Sequence, residues 1–550
     1  MSTFGIDLGT TYSCIATLDR NGNPEIIRNQ ADASDTLASA VFFESEDNVI
    51  IGTNAKDMVE SDGERVVQFA KRYIGKADAP DWNIDGKSYN PIDISTLILK
   101  RIKQMAEEQG HTVENVVITV PAYFGLEERA ATRKAGELAG MNVLNLVNEP
   151  TAAALSYCAR QFQEEKTILV YDLGGGTFDV TIVKMSVKTN ENGEDTTNVR
   201  VVATGGNDRL GGADWDNALF DHILNICCEE NGLTPDEVEI ETRQLIRSRV
   251  ETAKKKLSAA ETAKVKISVN GSMTTVNITR DEFESLTTDK VAQTMSYVES
   301  VLAKANTDID LVLLVGGSTY MPMIRNAVEA RFPGKVQIHE PDRAVAMGAA
   351  IYANMLVDEG NDPVPDPDPN PEDTTAGYIA PDDGPKTGGG TTSISTHAFT
   401  DQTPRSFGPG VLNRDHEYIV DNLIKLGDDM PALAVKTYYT PIDNMERIVL
   451  RAFENMSPAD SVVPCVDNQG NEQPCDPSDM VKLLGQLEML LPPNTKKNSP
   501  IEVTFQVDAS GVYVKAMNVA TGEIVDTTLV MKSTEEVDPS KLEGMLIAGE

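Results

Sequence analysis

Apolar residues in this chain fall in short runs separated by glycine, threonine and acidic positions, and two of these runs read almost alike. The first is Phe4-Gly5-Ile6-Asp7-Leu8-Gly9-Thr10-Thr11-Tyr12. The second is Val170-Tyr171-Asp172-Leu173-Gly174-Gly175-Gly176-Thr177-Phe178-Asp179, 165 positions on, counted from Asp7 to Asp172. Each predicts a strand, an Asp, a tight Gly/Thr turn and a second alternating strand, at 13–18 and 180–183. A duplicated hairpin with an acid at its tip suggests two facing lobes that grip one phosphorylated ligand and its metal. Around them, 116–120 is a β-rich run ended by Pro121, and 126–138 is helical. Residues 311–315 form a buried strand running into Gly316-Gly317, and 344–356 a small-residue helix. Strand and helix signals alternate through residues 1–358, the pattern of an α/β domain.

The pattern then changes. Residues 359–391 hold an acidic, Pro-rich stretch (362–373) followed by Gly388-Gly389-Gly390, which predicts an extended linker. Residues 392–534 carry short alternating runs, at 434–439, 447–451, 501–507 and 512–516, separated by polar turns. They predict an antiparallel β-sandwich, with 535–550 left as a short tail.

At 550 residues and 40% hydrophobic composition, the chain is long enough for more than one core. A formal net charge of −37, with no basic patch standing out, argues against nucleic-acid and anionic-membrane partners. No apolar run approaches the ~18 residues of a membrane span. The N-terminus enters the first strand without a leader pattern, so a cytoplasmic location is expected. Of six cysteines, Cys14, Cys158, Cys227 and Cys228 read as inert thiols. Cys465 and Cys475 flank a polar loop; a bridge and metal ligation are both open to them, and in a reducing compartment two free thiols are favoured.

Phosphate binding needs backbone N–H groups brought close, which only small residues permit. Gly9-Thr10-Thr11 and Gly174-Gly175-Gly176-Thr177 supply this twice. If the hairpins face each other, Asp7, Asp172 and Asp179 cluster. Carboxylates hold Mg²⁺ readily, often through water; a single Asp in such a turn would more simply cap it. Glu251, Lys254, Lys255 and Ser258 recur at helical spacing on one face. A strand ending in Gly316-Gly317-Ser318 permits close approach of a flat ring and reads equally as a helix start.

With these residues in view, the chain resembles the heat-shock protein 70 (DnaK-type) chaperone family of the actin/sugar-kinase ATPase superfamily. The matching stretches are GIDLGTTYSC at 5–14, VITVPAYF at 117–124, NEPTAAALSY at 148–157, YDLGGGTFDVTIV at 171–183, RLGGADWDN at 209–217, LLVGGSTYMPMI at 313–324 and AVAMGAAIY at 344–352. They come in family order and cover nearly all of residues 1–356. The resemblance implies an α/β actin-like ATPase domain of two lobes, built from duplicated ribonuclease-H-like units, followed by an all-β sandwich domain. It implies ATP/ADP and Mg²⁺ as cofactors, with K⁺ as a further candidate cation. Asp7, Asp172 and Asp179 resemble the carboxylates around Mg²⁺ and the attacking water. Thr10, Thr11 and Thr177 match phosphate-contacting threonines. Lys71 matches the catalytic lysine near the γ-phosphate, and Glu149 the carboxylate that orients water. Tyr12 and Gly212 fall within nucleotide-site stretches, and Tyr320 and Asp342 are nucleotide-site candidates only through this resemblance. Pro121 and Arg129 match an allosteric relay; for Pro121, simple strand termination is as good a reading. Implied partners are unfolded or extended polypeptide, a J-domain co-chaperone and a nucleotide exchange factor.

The chain departs from the family pattern at several places. Lys255 stands where the family has an arginine, and Tyr320 where it usually has another. An ammonium does not stack on adenine as a planar guanidinium does. The short apolar interdomain linker, which in the family docks as a strand in the ATP state, is expected to be absent, replaced by the acidic spacer. The helical lid is expected to be absent too, so coupling is expected to be weak or altered and peptide exchange fast. The leading reading is an ATP-hydrolysing chaperone. The alternative is a nucleotide-switched regulatory or scaffold protein that binds one partner through the sandwich. A small-molecule kinase fits less well, given the sandwich and the Glu149-Pro150-Thr151-Ala152 context.

Overall fold

The computed structural model describes residues 2–76, 78–158, 165–189, 195–358, 397–412, 418–456, 461–462, 481–508, 511–530, 538–542 and 544–548. The expected linker at 359–391 and the pair Cys465 and Cys475 lie outside them. Cys14, Cys227 and Cys228 are buried and free.

Two sheets share one topology. In the N-terminal sheet the order is Asn142–Asn148, Asn115–Val120, Thr3–Asp7, Tyr12–Leu18, Pro24–Ile27, with Leu37–Ala38 also paired to Tyr12–Leu18. The first three strands are parallel; Tyr12–Leu18 and Pro24–Ile27 follow as antiparallel neighbours. In the central sheet Val336–Ile338, Leu311–Val315 and Lys166–Leu173 are parallel, and Phe178–Thr189 and Asp195–Asn207 follow as antiparallel neighbours. The duplication read from two hairpins therefore extends to five strands in each sheet.

Strands that lie within these sheets are apolar without alternation. Val116, Val117, Ile118 and Val120 are all fully buried, which suits a parallel strand covered on both faces. Two helices, Glu149–Cys158 and Ala344–Asp358, bring the sheets together. Ala152, Ala153, Ala344 and Ala349 share one buried cluster with Val117 of the N-terminal sheet and Leu313 of the central sheet. The small residues are needed for this approach: a Cβ on Gly348 would lie 1.7 Å from the Ala152 carbonyl oxygen.

The C-terminal region forms two further sheets. Ser461–Val462, Tyr418–Val420, Ser406–Leu412, Arg447–Asn455 and Val481–Leu490 make one; Ala432–Tyr439, Pro500–Asp508, Gly511–Asn518 and Ile524–Val530 make the other. Here the alternation read from sequence is real: along Pro500–Asp508 every second residue is buried. Those residues, with Phe407, Leu450 and Leu487 of the first sheet, form one cluster.

Two segments go where the sequence pattern did not send them. His397–Gln402 pairs in parallel with Asp195–Asn207, Thr197 opposite His397 and Arg200 opposite Thr400, and so extends the central sheet. It is not the short apolar linker of the family pattern. The strand exists beyond the acidic spacer, but its sequence His-Ala-Phe-Thr-Asp-Gln is too polar to read as one. Leu546–Ala548, expected within a short tail, pairs in parallel with Asn48–Ile51.

The C-terminal region also meets the helix Leu126–Leu138. That helix begins at Gly125 with no side-chain cap of its own. The carboxylate of Glu454, on the strand Arg447–Asn455, accepts a hydrogen bond from the Leu126 N–H at 3.4 Å and fills the role. Lys482 pairs with Glu127 one residue on, and Leu126 itself is buried in the C-terminal cluster.

Candidate functional site

The tips of the two hairpins face each other. A Cβ on Gly175 would sit 2.1 Å from the Thr11 Oγ1, and one on Gly176 2.4 Å from the Thr10 Cγ2, so the central turn passes directly over the N-terminal one. The turn is held from behind. The Gly174 N–H donates to the Thr177 carbonyl at 3.1 Å, and the Gly212 and Ala213 N–H groups donate to the Gly174 and Gly175 carbonyls at 2.9 and 2.8 Å. Ser318 Oγ donates to the Gly174 carbonyl at 2.9 Å. With its carbonyls engaged on that side, the turn is free to offer N–H groups to the cleft.

Between the tips lies a cavity of 640 Å³, lined by both sheets, within the usual range for a small-molecule site. Its lining contains Asp7, Lys71, Glu149 and Asp172, together with Gly9, Thr10, Thr11, Gly174, Gly175 and Thr177. The other end is lined by Tyr12, Glu251, Lys254, Lys255 and Ser258, and by Gly316, Gly317, Ser318, Tyr320 and Asp342. Three expected residues stand just behind this surface. Asp179 is buried with its Oδ1 accepting from the Ala122 N–H at 3.1 Å, Gly176 touches Thr10, and Gly212 supports Gly174. Gly316 adopts φ +81°, and a Cβ there would meet the Leu173 carbonyl oxygen at 2.4 Å, so glycine is required at this turn.

Charge is concentrated at the inner end. Burial, then the neighbouring Glu149, pushes the Asp7 carboxyl up to about 7, against the pull of Lys71 and a 3.0 Å hydrogen bond donated by Thr119. Asp172 is driven well above the ordinary carboxylate range by burial, then by Glu149 and Asp7. Burial and the charges of Glu149 and Asp172 do the same to Asp179. Lys71 is buried and ion-paired with Glu149. Among the described residues no group of three or more His, Cys, Asp or Glu is close enough to ligate a metal directly. The donor set nevertheless suits a hydrated cation. Burial and then Glu149 raise all three carboxyls, Asp7 adds to Asp172 and Asp172 to Asp179, and Asp179 Oδ2 is buried without a hydrogen-bond partner, a pattern that a divalent cation held through water would relieve.

The outer end is a ladder of side chains. Tyr12 donates to Glu251 at 3.0 Å and accepts from Lys56 and Lys255, each at 3.0 Å. Both ammonium groups also stand over its ring, at 4.8 and 4.7 Å. Burial opposes ionisation of Glu251, yet Lys56 and Lys255 hold its carboxyl down to about 2. Lys254 instead turns inward, to the Gly212 carbonyl at 2.9 Å and Asp216 at 2.7 Å. Tyr320 is 51% exposed and borders Asp342.

Pro121 and Arg129 lie outside the cavity but connect to it. Pro121 follows the strand Asn115–Val120, and the next N–H, that of Ala122, holds Asp179. Arg129 donates to the Phe124 carbonyl at 2.9 Å and to Asn148, the neighbour of Glu149. Sequence reading missed Lys56, Thr119 and Arg72. Arg72 donates to the Gly176 carbonyl at 3.0 Å and pairs with Asp214 at 2.7 Å, tying the central turn to the segment that carries Lys71. Its place beside Lys71 was the available signal.

A duplicated α/β unit with small-residue turns facing across an acidic cleft defines an actin-like fold. Comparison with known families sharpens this: the Hsp70 protein family model matches residues 3–366, and the chain belongs to the Hsp70 family. Members are ATPases of actin-like fold that bind ATP or ADP with Mg²⁺ and act as chaperones on unfolded polypeptides. Among the described residues no helix is long and apolar enough to cross a membrane.

Proposed function

We propose that this chain is an ATP-dependent chaperone that hydrolyses ATP with Mg²⁺ in the cleft and binds extended, unfolded peptide segments through a C-terminal β-sandwich. The observation that carries the reading is the pair of touching turns over buried Asp172 and Asp179 and half-buried Asp7, with the Lys71–Glu149 pair beside them. Backbone N–H groups of the two turns hold the phosphates. Lys71, fixed by Glu149, neutralises charge on the terminal phosphate. Asp7, oriented by Thr119, and Asp179, oriented by Ala122, position water. Asp7, Asp172 and Asp179 would hold Mg²⁺ through water, and the cation supplies charge neutralisation on the phosphates. Catalysis of this kind is positioning plus charge stabilisation, with no covalent protein intermediate. Tyr12, Lys255, Tyr320 and Asp342 form the nucleoside end.

The docked strand His397–Gln402 and the Glu454 cap on Leu126–Leu138 support altered rather than absent coupling between cleft and peptide site. The second contact lies three residues from Arg129, which reaches Asn148 beside Glu149. Lidless fast exchange, a cytoplasmic location, and J-domain and exchange-factor partners are part of the same proposal. ATP turnover measured with and without an extended apolar peptide tests it. Stimulation is expected; turnover indifferent to peptide would favour the nucleotide-switched scaffold.

A further inference from the structure

The strand Asn48–Ile51 sits in a small four-stranded sheet, next to Ala40–Ser45, with Val66–Gln68 beyond. Its other edge is covered by residues far along the chain. Leu546, Ile547 and Ala548 pair in parallel with Asn48, Val49 and Ile50, and the Leu546 N–H donates to the Asp47 carbonyl at 2.9 Å. Just before this strand, Leu542 is 4% exposed within the N-terminal core cluster; Met545 and Ile547 pack on the same cluster. Lys541 donates to the Ser88 carbonyl at 3.0 Å and approaches the buried carboxylate of Asp93 at 4.0 Å. Burial pushes the Asp93 carboxyl up, and the Lys541 ammonium, nearest its Oδ2, draws it back, so a cation is the charge this buried acid favours beside it. From the other side Lys100, on the helix Pro91–Glu107, donates to the Leu542 carbonyl at 3.2 Å.

We propose that the outer edge of Asn48–Ile51, with the Asp93–Lys100 face of the helix Pro91–Glu107, is a strand-accepting docking site. Its resident ligand is residues 538–542 and 544–548 of this same chain, which fasten the far end of the C-terminal region to the N-terminal sheet. The site recognises an extended segment in which a cation and an apolar residue side by side precede a short strand. Lys541 answers Asp93, Leu542 fills the core, and the backbone from Leu546 completes the sheet. The attachment is reversible by construction. Leu546 is 71% exposed and Ile547 only partly buried against the core cluster, so the strand itself is held mainly by a short parallel ladder. A contact of this size holds a tethered segment at high effective concentration and releases it readily. The inference rests on contacts remote from the cleft and stands apart from the ATPase reading.

The test uses the full chain carrying Leu542→Asp and Leu546→Pro, the first placing a charge in the core and the second removing the paired N–H. Hydrogen exchange at Asn48–Ile51 is expected to rise at least tenfold in the variant. A synthetic peptide of residues 536–550 added in trans is expected to restore protection saturably, and the same peptide with Leu546→Pro is not. Unchanged exchange at Asn48–Ile51 in the variant, or exposure there that the unmodified peptide fails to reverse, would overturn the proposal.

Discussion

The two ends of the cleft are built from different materials. At the end proposed to take the phosphates, the working parts are backbone and buried charge. Turns touch through Gly175 and Gly176, Lys71 has a side chain 5% exposed, and burial, then the charge of Glu149, raises the carboxyls of Asp7, Asp172 and Asp179. At the end proposed to take the nucleoside they are long side chains near the surface; the Lys255 side chain is 61% exposed and Tyr320 51%. A turn with no room for a Cβ admits almost no substitution. A ladder of Tyr12, Lys56, Glu251 and Lys255 tolerates exchange of one cation for another. The departures from the family pattern read from sequence, at Lys255 and Tyr320, both fall at the second kind of end.

If this contrast holds, substitutions at the phosphate end break function outright and those at the nucleoside end only retune it. Lys71→Ala is expected to lower turnover by at least about a hundredfold while ATP binding, measured by calorimetry, persists. Gly175→Val drives a side chain into Thr11, and ATP affinity is expected to fall by about tenfold or more. Thr11→Ala on the same background should recover part of it, because the two sites share one contact. Lys255→Ala removes one of two ammoniums over Tyr12 and is expected to weaken ATP binding by roughly threefold to tenfold with turnover at saturation unchanged. A loss of turnover equal to that of Lys71→Ala would erase the contrast.

The smallest effect lies at the contact between the C-terminal region and the helix Leu126–Leu138. Burial first, and the charge of Glu128 second, push the Glu454 carboxyl from 4.5 up to about 7, while Arg405, Lys482 and the Leu126 N–H draw it back. The folded state therefore binds this proton more tightly than the unfolded one. Its contribution is fully favourable below pH 4.5 and is lost as pH rises through about 7. Urea unfolding is expected to show about 1 kcal/mol less stability at pH 8 than at pH 6 from this group. Glu454→Gln should remove that slope.

The hairpins, their aspartates and the small-residue helix Ala344–Asp358 were legible because each announces itself within a few residues. The strand Asn115–Val120 was legible for the same reason: a run of β-branched residues ended by proline. What escaped notice depends on partners far away in sequence. His397–Gln402 is polar and becomes a strand only because Asp195–Asn207 offers it an edge. Leu542 looks like an ordinary tail residue until it meets the core beneath the helix Pro91–Glu107. Arg72 is one more surface cation on paper, and Glu454 one more acid in a β-run; a carbonyl at Gly176 and an open helix end at Leu126 give them their roles. The likeness of the two turns suggests that they meet, and the close approach of Gly175 to Thr11 is what the fold adds.

The central claim is that the phosphate end is a working Mg²⁺-dependent ATPase site. Single-turnover conversion of ATP to ADP by the full chain, followed with Mg²⁺ and again after chelation, tests it most directly. The account predicts slow hydrolysis with Mg²⁺ that stops when the cation is removed. ATP recovered intact from the Mg²⁺-containing complex would contradict it.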